Sequence, residues 1–185
     1  MTSQADAFSS QSAAKRSDVE EMIAGLSLRI AVLGPNLDDI GNIGTQKRYQ
    51  IRDALEDDGH QPFFPECEMD TSDASQIWLE LERLLLSDDS VDLVIIFHTE
   101  DGFGVLAEIA NFVSIPEIHA KAAILFPAKF YTPNQSLPAN TVQAYHDKMQ
   151  YTDQDMAICR IVDQCIDWAS ERRNGSWSGI VSQGF

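Results

Sequence analysis

Apolar positions fall into two kinds of run. Leu28–Leu33 (LRIAVL), Val91–Phe97 (VDLVIIF) and Ala122–Phe126 (AAILF) are almost continuously apolar, as strands covered on both faces tend to be. Gly34-Pro35 stops the first and Pro127 the third. Between them apolar residues recur at helical spacing. Thr45 is placed to cap a helix over Gln46–Asp58, with Tyr49, Ile51, Ala54 and Leu55 on its apolar face and Gly59 at its end. Gln61–Phe64 reads as a short strand stopped by Pro65. Ser72 is placed to cap a helix over Asp73–Ser87, with Ile77, Leu81, Leu84 and Leu85 facing inward. After the loop His98–Phe103 an apolar helix spans about Gly104–Ser114. Ala128–Pro138 reads as loop, Asn140–Asp147 as a short helix and Met149–Thr152 as a fifth strand. Thr152 then caps a long helix over Asp153–Arg173. At the N-terminal end Ser17-Asp-Val-Glu20 forms a capping box, with Gly25 closing a short helix.

Strands and helices therefore alternate. The expected fold is α/β: a five-stranded, mostly parallel sheet in the flavodoxin-like order 2-1-3-4-5, with helices on both faces. The chain's 185 residues suit one domain. Residues 1–16 read as a disordered N-terminal tail, 17–174 as a single α/β domain and 175–185 as an irregular C-terminal tail. Hydrophobic content of 44% and charged content of 23% exclude disorder over the whole length. No apolar run approaches the ~18–20 residues of a membrane span, and residues 1–18 hold no apolar signal core, so a cytoplasmic protein with no membrane partner is expected.

Charge narrows the partners. Thirteen Lys and Arg face 29 Asp and Glu, a net charge of −16. Such a surface repels phosphate backbones, so no nucleic-acid partner is expected. Asp (18) outnumbers Glu (11) and Lys is scarce (5), a balance that suits a halophile's salt-rich cytoplasm or an ordinary acidic protein. Cys67, Cys159 and Cys165 form an odd set with no framework, which argues for a reducing compartment. His60, His98, His119 and His146 are scattered outside any ligand motif, so neither a metal nor another cofactor is expected.

Topology selects the candidate site. In an open parallel sheet the ligand lies beyond the carboxyl ends of the strands where the order reverses, here between strands 1 and 3. Two loops meet there, Gly34–Thr45 and His98–Gly104. The first offers Gly34, Asn36, Asp38, Asp39, Gly41 and Gly44, with Lys47 and Arg48 just inside the following helix. Its glycines allow close backbone approach, and its carboxylates suit sugar hydroxyls better than phosphate. In the second, Gly102 and Gly104 turn the chain into a helix that carries Glu108 among Leu106, Ala107, Ile109 and Ala110. A carboxylate on an apolar helix at the ligand end of a sheet is costly unless it works or is paired. It can attack an anomeric carbon or stabilise an oxocarbenium-like centre; the plainer reading is an ion pair with Lys or Arg. His98 at the end of strand 3 is either an acid or a group bonded to a backbone carbonyl.

The stretch Val91–Phe126 resembles the nucleoside 2-deoxyribosyltransferase family and its nucleotide N-glycosidase relatives: an apolar strand, a loop with Asp and Gly, and Gly104-Val-Leu-Ala-Glu108 as a Gly-x-x-x-Glu helix. The strand ending in Gly34-Pro35 and the segment ending in Pro65-Glu66 fit the same pattern, and the likeness runs from about Arg29 to Arg173. It implies that Glu108 is a nucleophile forming a glycosyl-enzyme intermediate and that Asp101 is the nearby acid. It also implies that Gly34, Pro35 and Asn36 line the sugar pocket, that the substrate is a small nucleoside or nucleotide, and that the protein is a homo-oligomer. Trp177 and Phe185 in the C-terminal tail are candidates for such an interface. The family often carries an aromatic residue near the end of its first strand, where this chain has Val32-Leu33. That departure favours the alternative of a non-catalytic sensor of nucleotide-derived ligands. A Toll/interleukin-receptor-like NAD hydrolase is a further alternative, but its usual opening and the residues preceding its Glu are missing. A response-regulator domain needs a phosphoacceptor Asp where strand 3 ends in Phe97-His98.

Overall fold

The computed structural model describes residues 15, 16, 18, 19, 21–69, 78–99, 103–112, 114–128, 145, 147–152 and 159–177. In chain order these form β1 (Arg29–Leu33), α1 (Ile43–Asp57), β2 (Gln61–Phe63), α2 (Pro65–Glu68), α3 (Trp78–Ser87) and β3 (Leu93–Phe97). There follow α4 (Phe103–Phe112), α5 (Pro116–His119), β4 (Ala122–Pro127), β5 (Asp147–Tyr151) and α6 (Cys159–Arg173).

The three apolar runs are β1, β3 and β4, and apart from Arg29 every residue in them is buried. Because strand side chains alternate, each run feeds two cores. Ile30, Val32, Leu93, Ile95, Phe97, Ala123 and Leu125 pack with Ile51 and Leu55 of α1 and with Ile161, Cys165 and Trp168 of α6. Ala31, Leu33, Val94, Ile96 and Ile124 pack on the other face with Leu86 of α3 and with Val105, Ile109 and Phe112 of α4. The sheet is parallel throughout, in the order β2-β1-β3-β4-β5. The expected α/β architecture is thus observed. Leu33 pairs with Ile96 and Phe97 with Leu125, so the carboxyl ends of β1 and β3 lie side by side at the reversal.

Several boundaries differ from expectation. The cap of α1 is Asn42, not Thr45: the Asn42 side chain accepts the Gly44 amide at 2.7 Å. Thr45 is buried, and its hydroxyl donates to the Asn36 carbonyl at 2.8 Å. Pro65 does more than stop β2. It opens α2 at a first-turn position that needs no amide donor. Asp147 begins β5 rather than ending a helix. β5 buries Met149 and Tyr151 while exposing Lys148 and Gln150, an alternation too short to read with certainty from sequence. On α3 the deeply buried positions are Glu82 and Leu86, and Leu84 points outward at 55% exposure. Trp177 belongs to the α1/α6 core, so it is not an exposed interface residue. Lys15 and Arg16 are helical, as are residues 21–24. The Ser17/Glu20 capping box, Ser72, Ile77, Asp101, Gly102, the 129–138 loop, the 140–144 helix and Phe185 lie outside the described residues.

Candidate functional site

The site is organised by a buried arginine. Arg48 lies in the second turn of α1, on the face that carries Ile51 and Leu55 to the sheet, and its side chain is fully buried beneath the end of β1. There β1 leaves the sheet and its carbonyls lose their ladder partners, so they need donors. Arg48 supplies them. Nε and Nη2 donate to the Val32 carbonyl at 2.9 and 2.6 Å, and Nη1 donates to the Pro35 carbonyl at 3.0 Å. The rest of the guanidinium grips Glu66 of α2 with both nitrogens, at 2.5 and 2.6 Å, and stacks 4.7 Å from the Phe64 ring. Pro65 starts α2 immediately after β2, and this turns Glu66 toward Arg48 across the end of β1.

Two further carboxyls enter from the opposite layer. α3 brings Glu82, which is 3% exposed, and α4 brings Glu108, which is half-buried. Burial is the largest influence on both and disfavours their charged forms; Glu66 adds repulsion and Arg48 partly offsets it. Glu108 is pushed up to about 7. Glu82, which also meets the charge of Glu108, is pushed up to about 8. Glu82 Oε2 has no hydrogen-bond partner among the described residues. The result is three carboxyls electrostatically coupled to the guanidinium that sits beneath the end of β1. Among the described residues no group of three or more His, Cys, Asp or Glu can hold a metal ion.

These raised values carry a consequence for stability. A carboxyl that remains protonated in the folded chain but ionises at its ordinary value in the unfolded chain lowers stability as pH rises. The contribution is lost from about pH 5 to about pH 8, where Glu82 titrates, and is constant above. Buried His60 and His98 have lowered values, mainly through burial, so they act with the opposite sign on the acid side. Glu82→Gln keeps the shape without the charge. It is expected to raise stability at pH 9 by roughly 2–4 kcal/mol relative to wild type and to leave pH 5 nearly unchanged. Urea midpoints of the two proteins at both pH values check this, and parallel pH curves refute it.

The two loops expected to meet do so. A side chain at Gly44 would approach Thr99 Cγ2 at 2.5 Å and Pro35 Cγ at 2.9 Å. One at Gly34 would meet the Phe97 carbonyl at 3.0 Å and Arg48 Cδ at 3.2 Å. Gly44 therefore leaves no room for a side chain, whereas at Gly34 a methyl group fits only if its neighbours give by a few tenths of an ångström. Gly44→Ala must push the two loops apart and is expected to cost about 1–3 kcal/mol, measured as a lowered urea midpoint. An unchanged midpoint would show that the loops yield freely.

The expected site residues divide accordingly. Gly34 and buried Pro35 stand at the Arg48 cluster, and Glu108 is electrostatically coupled to the same arginine. Gly104 lies in the first turn of α4. Asn36 and Asp38 are exposed, and Asn36 Oδ1 accepts the Asp38 amide at 3.0 Å, which folds that loop on itself. The ring of His98 is buried, which lowers its proton affinity, and its carbonyl accepts a bond from the Tyr151 hydroxyl. Lys47 is buried on the side of α1 that meets Cys159, so it does not join Arg48 as an anion site. Sequence reasoning missed Glu82 altogether and saw Glu66 only as part of a motif. A signal was present for Glu82: it lies four residues from both Trp78 and Leu86, interrupting an inward stripe.

Fold and site together define an open parallel α/β domain with a cluster of carboxyls around a buried arginine at the end of β1. Neither a protein-family model nor a curated protein matches the chain. No described helix is long and apolar enough to cross a membrane.

Proposed function

We propose that the chain cleaves, or transfers the sugar at, the N-glycosidic bond of a nucleoside or nucleotide, with Glu108 as nucleophile. The observation that carries this reading is the position of Glu108. It is a desolvated carboxyl on α4, coupled to the arginine that binds the Pro35 carbonyl and to two other carboxyls. Burial, with repulsion from Glu66, raises its proton affinity above that of an ordinary carboxyl, and a carboxylate held in such a setting is a more basic nucleophile than one in water. Glu108 attacks the anomeric carbon, the C–N bond breaks, and the base leaves with the electron pair and takes a proton from an acid. Asp101, just ahead of α4, is that acid in the family resemblance. Water or a second base then displaces Glu108 from the sugar.

Incubating the purified chain with deoxynucleosides, ribonucleosides, their 5′-monophosphates and NAD, and separating products by chromatography, tests the proposal. Free base from a nucleoside or nucleotide supports it. Release from NAD alone points to the NAD-hydrolase alternative, and tight binding without product to a sensor. A homo-oligomer in a cytoplasmic setting belongs to the same proposal.

A further inference from the structure

The amino end of the sheet, opposite the Arg48 cluster, carries a second set of buried polar groups. His60 immediately precedes β2, is 5% exposed and lies where β1, α1 and α6 converge. The Leu28 amide donates to its Nδ1 at 3.3 Å, so that nitrogen carries the lone pair and the proton of the neutral ring is on Nε2. Nε2 faces Asp58 Oδ2 at 3.0 Å. Arg173, the last residue of α6, closes the group. Its Nη2 stands 2.7 Å from the ring Nε2 and shares Asp58 Oδ2 with it at 3.2 Å. The same Nη2 donates to the Asp58 carbonyl, and Nε donates to the Leu26 carbonyl, each at 3.1 Å. One imidazole thus ties the chain entering β1 to the ends of α1 and α6.

This arrangement accommodates only the neutral ring. A second proton has to sit on Nδ1, against the Leu28 N–H, and puts a cation beside the Arg173 guanidinium. The charged groups that face the ring are Arg173 from α6, which opposes that proton, and Asp58 at the end of α1 and Asp92 ahead of β3, which favour it. Burial and Arg173 outweigh the two carboxylates, so the ring's proton affinity is lowered. The segment held down here is itself weakly held. Beyond Arg173 the chain reverses at Gly175 (φ 69°) and lays Trp177 into the α1/α6 core at 4% exposure. Yet the Trp177 indole Nε1 has no hydrogen-bond partner among the described residues, and a buried donor left bare favours release to water.

We propose that His60 is an acid-sensitive latch: protonation of its ring breaks the bond to the Leu28 amide, repels Arg173 and releases the end of α6 with Trp177 from the core, while the Arg48 cluster at the other end of the sheet stays intact. The stability that the latch contributes is present above the ordinary histidine value of 6.5 and is lost as pH falls below it toward the lowered folded value.

Amide hydrogen exchange of the full chain, read residue by residue by NMR and corrected for the intrinsic rate at each pH, tests this. From about pH 7.5 to about pH 5 wild type is expected to lose protection about tenfold at the Leu28 and Ser176 amides and at the Trp177 indole, the effect of one buried hydrogen bond. Val32 and Ile96, at the Arg48 end of the sheet, should keep or gain protection. His60→Asn places an acceptor near the position of Nδ1 without titrating, and its protection at the same sites should not fall. A fall of the same size in His60→Asn, an unchanged wild type, or a loss that runs evenly through the sheet overturns the proposal. If His60→Asn does not fold, the ring titration of His60 in wild type decides: a midpoint coincident with that of the protection loss supports the latch, and a separate midpoint overturns it.

Discussion

Glu108→Ala is expected to lower base release from the preferred substrate by about a thousandfold or more, with the chain still folded. Removing a nucleophile abolishes the covalent route and leaves only positioning and the remaining electrostatics, so the loss should fall on kcat rather than KM. Folding should survive because Glu108 is only half-buried and its neighbours Ala107 and Ala110 are exposed. The substitution also takes one of three mutually repelling carboxyls out of the cluster, so stability at neutral pH should hold or rise. Chromatographic rates and urea midpoints on the same preparations separate the two effects. Full activity in this variant would exclude Glu108 from the chemistry.

Arg48→Ala is expected to destabilise the chain by about 2–4 kcal/mol, since it removes the fully buried partner of a half-buried ion pair together with the donor to two buried carbonyls. The variant leaves the Val32 and Pro35 carbonyls without their guanidinium donor and Glu66 without its cation. It also removes the positive charge that opposes protonation of Glu82 and Glu108, so both should move further up. Against a total stability of roughly 5–15 kcal/mol for a domain, this is a large fraction. Arg48→Lys should recover little. A single ammonium cannot reach two carbonyls and both oxygens of Glu66 in one plane, as the guanidinium does. Urea unfolding of the three proteins checks both statements. A loss below about 1 kcal/mol for Arg48→Ala would mean that water replaces the guanidinium freely and that the arginine does not organise the site.

The legible elements were those whose physics is local. β1, β3 and β4 are apolar enough that no arrangement except cover on both faces is available to them, and Pro127 and Gly34-Pro35 mark their ends. Their alternation with helices led to the sheet order that is observed. From that order alone the meeting of the Gly34 and His98 loops followed, and the near-contact of Gly44 with Thr99 and Pro35 realises it. Less legible were choices decided by competition between neighbours. Asn42 and Thr45 are both good caps; Thr45 is drawn inward to the Asn36 carbonyl, which leaves the capping to Asn42. On α3 the run Leu84-Leu85-Leu86 offers several inward faces, and packing against α4 and the sheet selected the one holding Leu86 and Glu82.

By itself the sequence determined the α/β class, the sheet order and the end of the sheet where chemistry can gather, because burial of continuous apolar strands and the handed rules of crossover connections act on short stretches. It also marked Glu108 as a carboxyl in an apolar setting. Only the tertiary structure decided its company. Arg48, Glu66, Glu82 and Glu108 come from four separate helices, with no spacing along the chain to link them. What brings them together is the unpaired end of β1, whose carbonyls draw in the guanidinium, and the burial that follows sets how readily each carboxyl gives up its proton.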